Sequence, residues 1–77
     1  MRLHELKKGG QARVTKISSV DAELEAKLRE IGFAEDDEVE IVHFGPIGGK
    51  PICARLNQTL IALRIEEAAA IKVEVLS

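Results

Sequence analysis

The stretch from Val39 to Leu56, VEIVHFGPIGGKPICARL, admits few folds. Val39 and Ile41 flank Glu40, and Ile52, Ala54 and Leu56 alternate with Cys53 and Arg55. Period-two alternation turns one set of side chains to a core and the other to water, as in a strand. The two runs are joined by Gly45-Pro46-Ile47-Gly48-Gly49-Lys50-Pro51. Glycine frees that backbone and proline pins φ, so the chain is shaped to reverse there. An aliphatic residue, Ile47, sits at the tip. Such a loop suits contact with a partner better than it suits chemistry.

The flanking segments supply further short elements. Leu3 and Leu6 read as one helical turn ending at Gly9-Gly10. Gln11 to Ile17 reads as a strand. Ala12 and Val14 share a parity that Ile17 lacks, so a bulge near Thr15-Lys16 is expected. A helix follows, capped by Ser18 or Ser19, with Asp21 and Glu23 at its positive end. Its expected apolar stripe is Val20, Leu24, Leu28 and Ile31. Glu23–Lys27 and Glu25–Arg29 are spaced for ion pairs along it. Gly32 and Phe33 fit a Schellman ending, with Phe33 reaching back to Leu28. Ala34 to Glu38 is an acidic turn, and Asn57-Gln58 a tight one. Thr59 to Ile65 reads as a strand, Glu66 to Ala70 as a helical turn, and Ile71, Val73 and Val75 as the inward side of a closing strand.

Five short strands and one long helix in 77 residues predict a mainly β fold, a small SH3-like barrel with an inserted helix, as a single domain over residues 1–77. A parallel sheet needs more long crossovers than this chain offers. With no Trp or Tyr and two Phe, the core must be aliphatic. A formal charge of -2 argues against general nucleic-acid binding. The single Cys excludes an intrachain disulfide and fits a reducing compartment. The opening MRLHELKKGG has no apolar signal region, and no run approaches a membrane span. A cytoplasmic location is expected.

The residues that could carry chemistry are sparse. His4, His43 and Cys53 are scattered along the chain, and Cys53 has the outward parity, so no metal site is expected. Glu35-Asp36-Asp37-Glu38 lacks the spacing of a calcium loop and reads as a solvated turn. Gly48-Gly49-Lys50 lacks the upstream glycine and the Ser/Thr of a phosphate loop. No catalytic constellation and no cofactor motif is present, which points away from an enzyme. The apolar residues outside the core pattern are more informative. They are Ile47, Leu60, and Val42 with Phe44, whose parity opposes that of Val39 and Ile41. Gathered into one patch, they would bind a partner.

The chain resembles the FeoA family along nearly its whole length. The resemblance is carried by Leu3-His4-Glu5-Leu6-Lys7-Lys8-Gly9 with Ala12 and Val14, and by Lys27-Leu28-Arg29-Glu30-Ile31-Gly32-Phe33. It continues in Val39-Glu40-Ile41-Val42, Pro46-Ile47-Gly48-Gly49, Pro51-Ile52 and Ile61-Ala62-Leu63-Arg64-Ile65-Glu66-Glu67-Ala68 with Ile71. Departures fall in loops: Lys8 where proline is usual, Glu35-Asp36 in place of a common Pro-Gly before the central strand, one extra residue between Gly48 and Pro51, and Asn57-Gln58 in a turn that usually holds glycine. The resemblance implies an SH3-like barrel that supports ferrous iron uptake. It also implies a partner, the cytosolic part of the FeoB membrane GTPase, which would hold the protein at the inner face of the membrane. The expected contacts are Phe44, Pro46, Ile47, Gly48, Gly49 and Leu60. Two rivals remain open: a stand-alone relative of the domain found in iron-dependent transcriptional regulators, and a metal-binding iron-delivery protein using His4, His43, Cys53 or the acidic turn. Self-association through an open strand edge is compatible with either.

Overall fold

The computed structural model describes residues 1–76. A 3-10 turn over Leu3–Glu5 leads into β1 (Gln11–Ile17), α1 (Ala22–Ile31), β2 (Glu38–Gly45), β3 (Gly49–Leu56), β4 (Thr59–Leu63), α2 (Ile65–Ala69) and β5 (Ile71–Val75). The strands form one antiparallel sheet in the order β4-β3-β2-β1-β5. That is the mainly β, SH3-like arrangement expected. The sheet curls over one hydrophobic cluster that includes Leu3, Val14, Leu28, Ile41, Ile52, Leu63 and Ile71, and the core is not wholly aliphatic as expected, because the buried Phe33 sits among them.

Two bulges set which residues reach that core. The register of β1 against β5 shifts between Val14 and Lys16, which turns Ile17 inward beside Ala12 and Val14. A second shift lies between Ile41 and His43, and leaves Val42 without a partner on β3. Past it the parity of β2 reverses. Phe44 then stands opposite the fully buried Ile52, and is itself half-buried against the core. Phe44 is thus part of the barrel's packing, not an apolar residue outside the core pattern.

The helix departs from expectation at its start. Asp21 is the cap, its Oδ1 accepting from the N–H groups of Glu23 at 2.9 Å and Leu24 at 3.4 Å. Ser19 acts one step earlier, its Oγ accepting from the Asp21 N–H at 3.0 Å. Val20 therefore precedes the helix and is wholly exposed, and Ile31 is only partly covered. Of the expected stripe, Leu28 is buried and Leu24 half-buried. The helix ends as a Schellman motif: the Phe33 N–H donates to Leu28 O at 3.1 Å and the Gly32 N–H to Arg29 O at 3.1 Å. Gly32 takes φ 126°, which favours glycine, and Phe33 enters the core.

The acidic turn is anchored by its backbone. The Asp36 N–H donates to Val14 O at 2.7 Å and the Val14 N–H to Asp37 O at 2.8 Å. At the far end, β4 stops at Leu63, earlier than expected, and Ile65 opens α2. On β5, Ile71 and Val73 are buried but Val75 is exposed.

Candidate protein-contact surface

The hairpin between β2 and β3 turns at Pro46-Ile47-Gly48. Gly45 and Gly49 face each other at its base, and the Lys50 N–H closes the turn on Ile47 O at 3.1 Å. The Lys50–Pro51 peptide is cis. Gly48 and Gly49 take φ 61° and 79°, which favour glycine. At Gly45 any Cβ would run into the carbonyl of Lys50 and the nitrogen of Pro51. These backbone demands hold Ile47 outward, 77% exposed.

Leu60 is 57% exposed on the outer face of β4, opposite Arg55. Ile47 bridges Lys50, near the other end of β3. At about 3.4 Å per strand residue the two lie roughly 17 Å apart along that strand. Phe44 packs inward between them. The expected patch thus divides into a hairpin tip (Pro46, Ile47, Gly48, with Gly49 below it) and a separate edge residue, Leu60.

The titratable groups are arranged for structure. Arg29 holds Glu35 in a two-bond pair, Nη1–Oε1 3.1 Å and Nη2–Oε2 3.0 Å. That pair, with help from a backbone N–H, lowers the Glu35 carboxyl to about 2. Glu67 is the one buried charged residue among those described. Burial pushes its carboxyl up, but the Arg64 N–H at 2.7 Å and the Lys27 ammonium at 2.8 Å prevail and lower it. A shallow depression of about 480 Å3 is lined by Asp36, Asp37, Glu38 and Glu40 with Arg55. Its Glu40 is engaged by Arg55 at 3.2 Å, and Asp37 Oδ2 accepts from the Ala34 N–H at 3.1 Å.

The histidines and the cysteine are less scattered than their spacing suggests. The bulge at Val42 places His43 directly across from Cys53. His4 stands apart, with a buried Nδ1 that has no partner. Among the described residues no three His, Cys, Asp or Glu gather as metal ligands. No helix among them is long and apolar enough to cross a membrane. Sequence reasoning missed the exposed Val20, which borders a second depression with Arg2, Glu66 and Lys72. The signal was Asp21, which caps as well as either serine and directly precedes the helical Ala22 and Glu23.

An antiparallel barrel of this strand order, with a helix inserted after its first strand, defines a small SH3-like protein. The FeoA domain family matches residues 1–75, and the chain belongs to that family of ferrous iron transport accessory proteins. Stenotrophomonas maltophilia FeoA in complex with zinc, described as a prokaryotic SH3 domain protein, is 37% identical, with a TM-score of 0.85 over 96% of this chain and 89% of that one. Iron(II) transport protein A from Clostridium thermocellum is 39% identical, with a TM-score of 0.88 over 99% of this chain and 46% of its own. A manganese-dependent transcriptional repressor shares the fold at 22% identity and a TM-score of 0.88, this chain spanning 36% of its length. No curated protein matches the chain.

Proposed function

We propose that this protein is a non-enzymatic accessory of ferrous iron uptake that docks onto the cytosolic part of a FeoB-like membrane GTPase. The hairpin tip, Pro46-Ile47-Gly48 with Gly49, is its contact. The observation that carries this reading is Ile47, 77% exposed at the tip of a turn whose glycines take positive φ. An aliphatic side chain presented this way gains most by entering an apolar pocket on a partner. Docking would keep the protein on the cytoplasmic face through its partner, with no segment of its own in the bilayer.

The test is capture from detergent-solubilised membranes with tagged protein, with and without guanine nucleotide. The wild type recovers a large membrane GTPase, and Ile47→Asp does not, at an unchanged melting temperature. Equal recovery by both removes the hairpin from the interface. Recovery of a soluble DNA-binding protein in place of the GTPase supports the second reading, a regulator-type interaction domain, which the fold shared with the manganese-dependent repressor favours.

A further inference from the structure

The two edges of the sheet are treated differently. On β5 the Val73 N–H donates to Met1 O at 2.8 Å, and Arg2 bridges Lys72, so the first residues cover that edge. Lys72 and Glu74 add charges to it. On β4 no described residue gives such cover. Its sequence, Thr59-Leu60-Ile61-Ala62-Leu63, holds no charge, proline or glycine. Apart from its short length, the strand carries none of the usual devices that blunt an edge.

The hairpin turn decides which backbone groups that edge offers. Asn57 and Gln58 both take positive φ, 49° and 72°, in a two-residue turn. Such a turn makes Leu56 and Thr59 a hydrogen-bonded pair, and the alternation makes Ala54–Ile61 and Ile52–Leu63 the next ones. The N–H and C=O groups of Leu60 and Ala62 therefore point off the sheet. Among the described residues, no backbone group of Thr59–Leu63 bonds to anything outside the β3–β4 ladder.

We propose that β4 is the pairing strand for a second copy of this chain, antiparallel about a two-fold axis at Ile61. This register sets Leu60 opposite Ala62 of the second copy, twice over. Each is then a hydrogen-bonded pair, and all four free groups are satisfied. The exposed Leu60 gains a small neighbour that leaves it room. No like charges meet, because Arg64 falls opposite Gln58 of the second copy. An extended segment from an unrelated protein could reach the same edge, but a second copy is already complementary to it: the two-fold register pairs the free backbone groups with each other and seats Leu60 beside the small Ala62. The strand is short, so the dimer is weak and depends on concentration.

Sedimentation and amide hydrogen exchange on the full chain test this, from micromolar to millimolar. The expected mass moves from one chain towards two, and exchange at Leu60 and Ala62 slows about tenfold as the dimer fills. Ala62→Pro removes an N–H that points off the sheet and spares the ladder with β3, and Leu60→Lys places like charges beside the axis. Both variants stay at the mass of one chain with an unchanged melting curve. If Ala62→Pro does not fold, Leu60→Lys decides alone. A single-chain mass at every concentration overturns the proposal, as does a dimer that survives Leu60→Lys or leaves the exchange of Leu60 and Ala62 unchanged.

Discussion

Lys27 Nζ lies 2.8 Å from Glu67 Oε2, tying the middle of α1 to the first turn of α2, an element that follows three intervening strands. Lys27 has left the helix-internal pair with Glu23 that its spacing suggests. The Lys27 side chain is 57% exposed and that of Glu67 is 6% exposed. Glu67 also caps α2 by accepting from the Arg64 N–H.

The two partners should therefore respond unequally to removal. Lys27→Ala leaves Glu67 its backbone bond, and its cost is expected near 1 kcal/mol or less, as for a partly solvated pair. Glu67→Ala strips both the ion pair and the acceptor for the Arg64 N–H, at an expected cost of about 2 kcal/mol. Urea unfolding of both single variants and the double variant measures this. Equal losses would show that the cap adds nothing.

Acid should weaken the fold over a defined range. Glu5, held by the Arg2 N–H, Glu35 and Glu67 all titrate below 4.5 in the folded protein. The unfolded chain then binds more protons than the folded one in that range. Stability is full above pH 4.5 and declines as pH falls through 4.5 towards 2, the folded value of Glu35. Glu35→Gln flattens part of this decline, and salt weakens its exposed pair with Arg29. Thermal melts from pH 7 to pH 2 check both. A midpoint that rises on acidification would contradict the assignment.

The glycines of the hairpin should separate by mechanism. Gly48→Ala adds a methyl to open space at φ 61°, so only backbone strain of about 1 kcal/mol applies. Gly45→Ala drives a methyl into the Lys50 backbone, and an expected loss of about 3 kcal/mol follows from overpacking. Denaturation midpoints of the two variants give the order. A Gly45→Ala protein as stable as wild type would mean that β2 and β3 can separate at their tip.

The helix seam rests on fewer residues than its pattern suggests. Leu28 is fully buried, so Leu28→Ala costs about 3 kcal/mol. Val20 is wholly exposed, so Val20→Ala changes stability by less than about 0.5 kcal/mol. A comparable loss at both would place Val20 in the core.

Much of this arrangement is legible in the chain. The limits of β1 and β5, the bulge after Val14, the Schellman ending at Gly32-Phe33 and the Asn57-Gln58 turn all follow from local chemistry. Each depends on residues within a few positions of one another. The bulge at Val42 was not legible, because nothing in VEIVHFG distinguishes it from a continuous strand. That one inserted residue turned Phe44, expected outside the core pattern, against the core. It also brought His43 to Cys53, and it left the tip and Leu60 as separate features.

By itself, the sequence determined the strand periodicity, the helix with its ending, a mostly aliphatic core and the family. These arise from side-chain spacing and from backbone preferences at glycine, proline and asparagine. Only the tertiary structure decided that Lys27 prefers Glu67 to Glu23, that Val20 faces water, and that one sheet edge is covered while the other is open. Those outcomes depend on which distant segments meet, and a barrel closed by antiparallel pairing sets that through register. A shift of one residue exchanges the faces of everything beyond it.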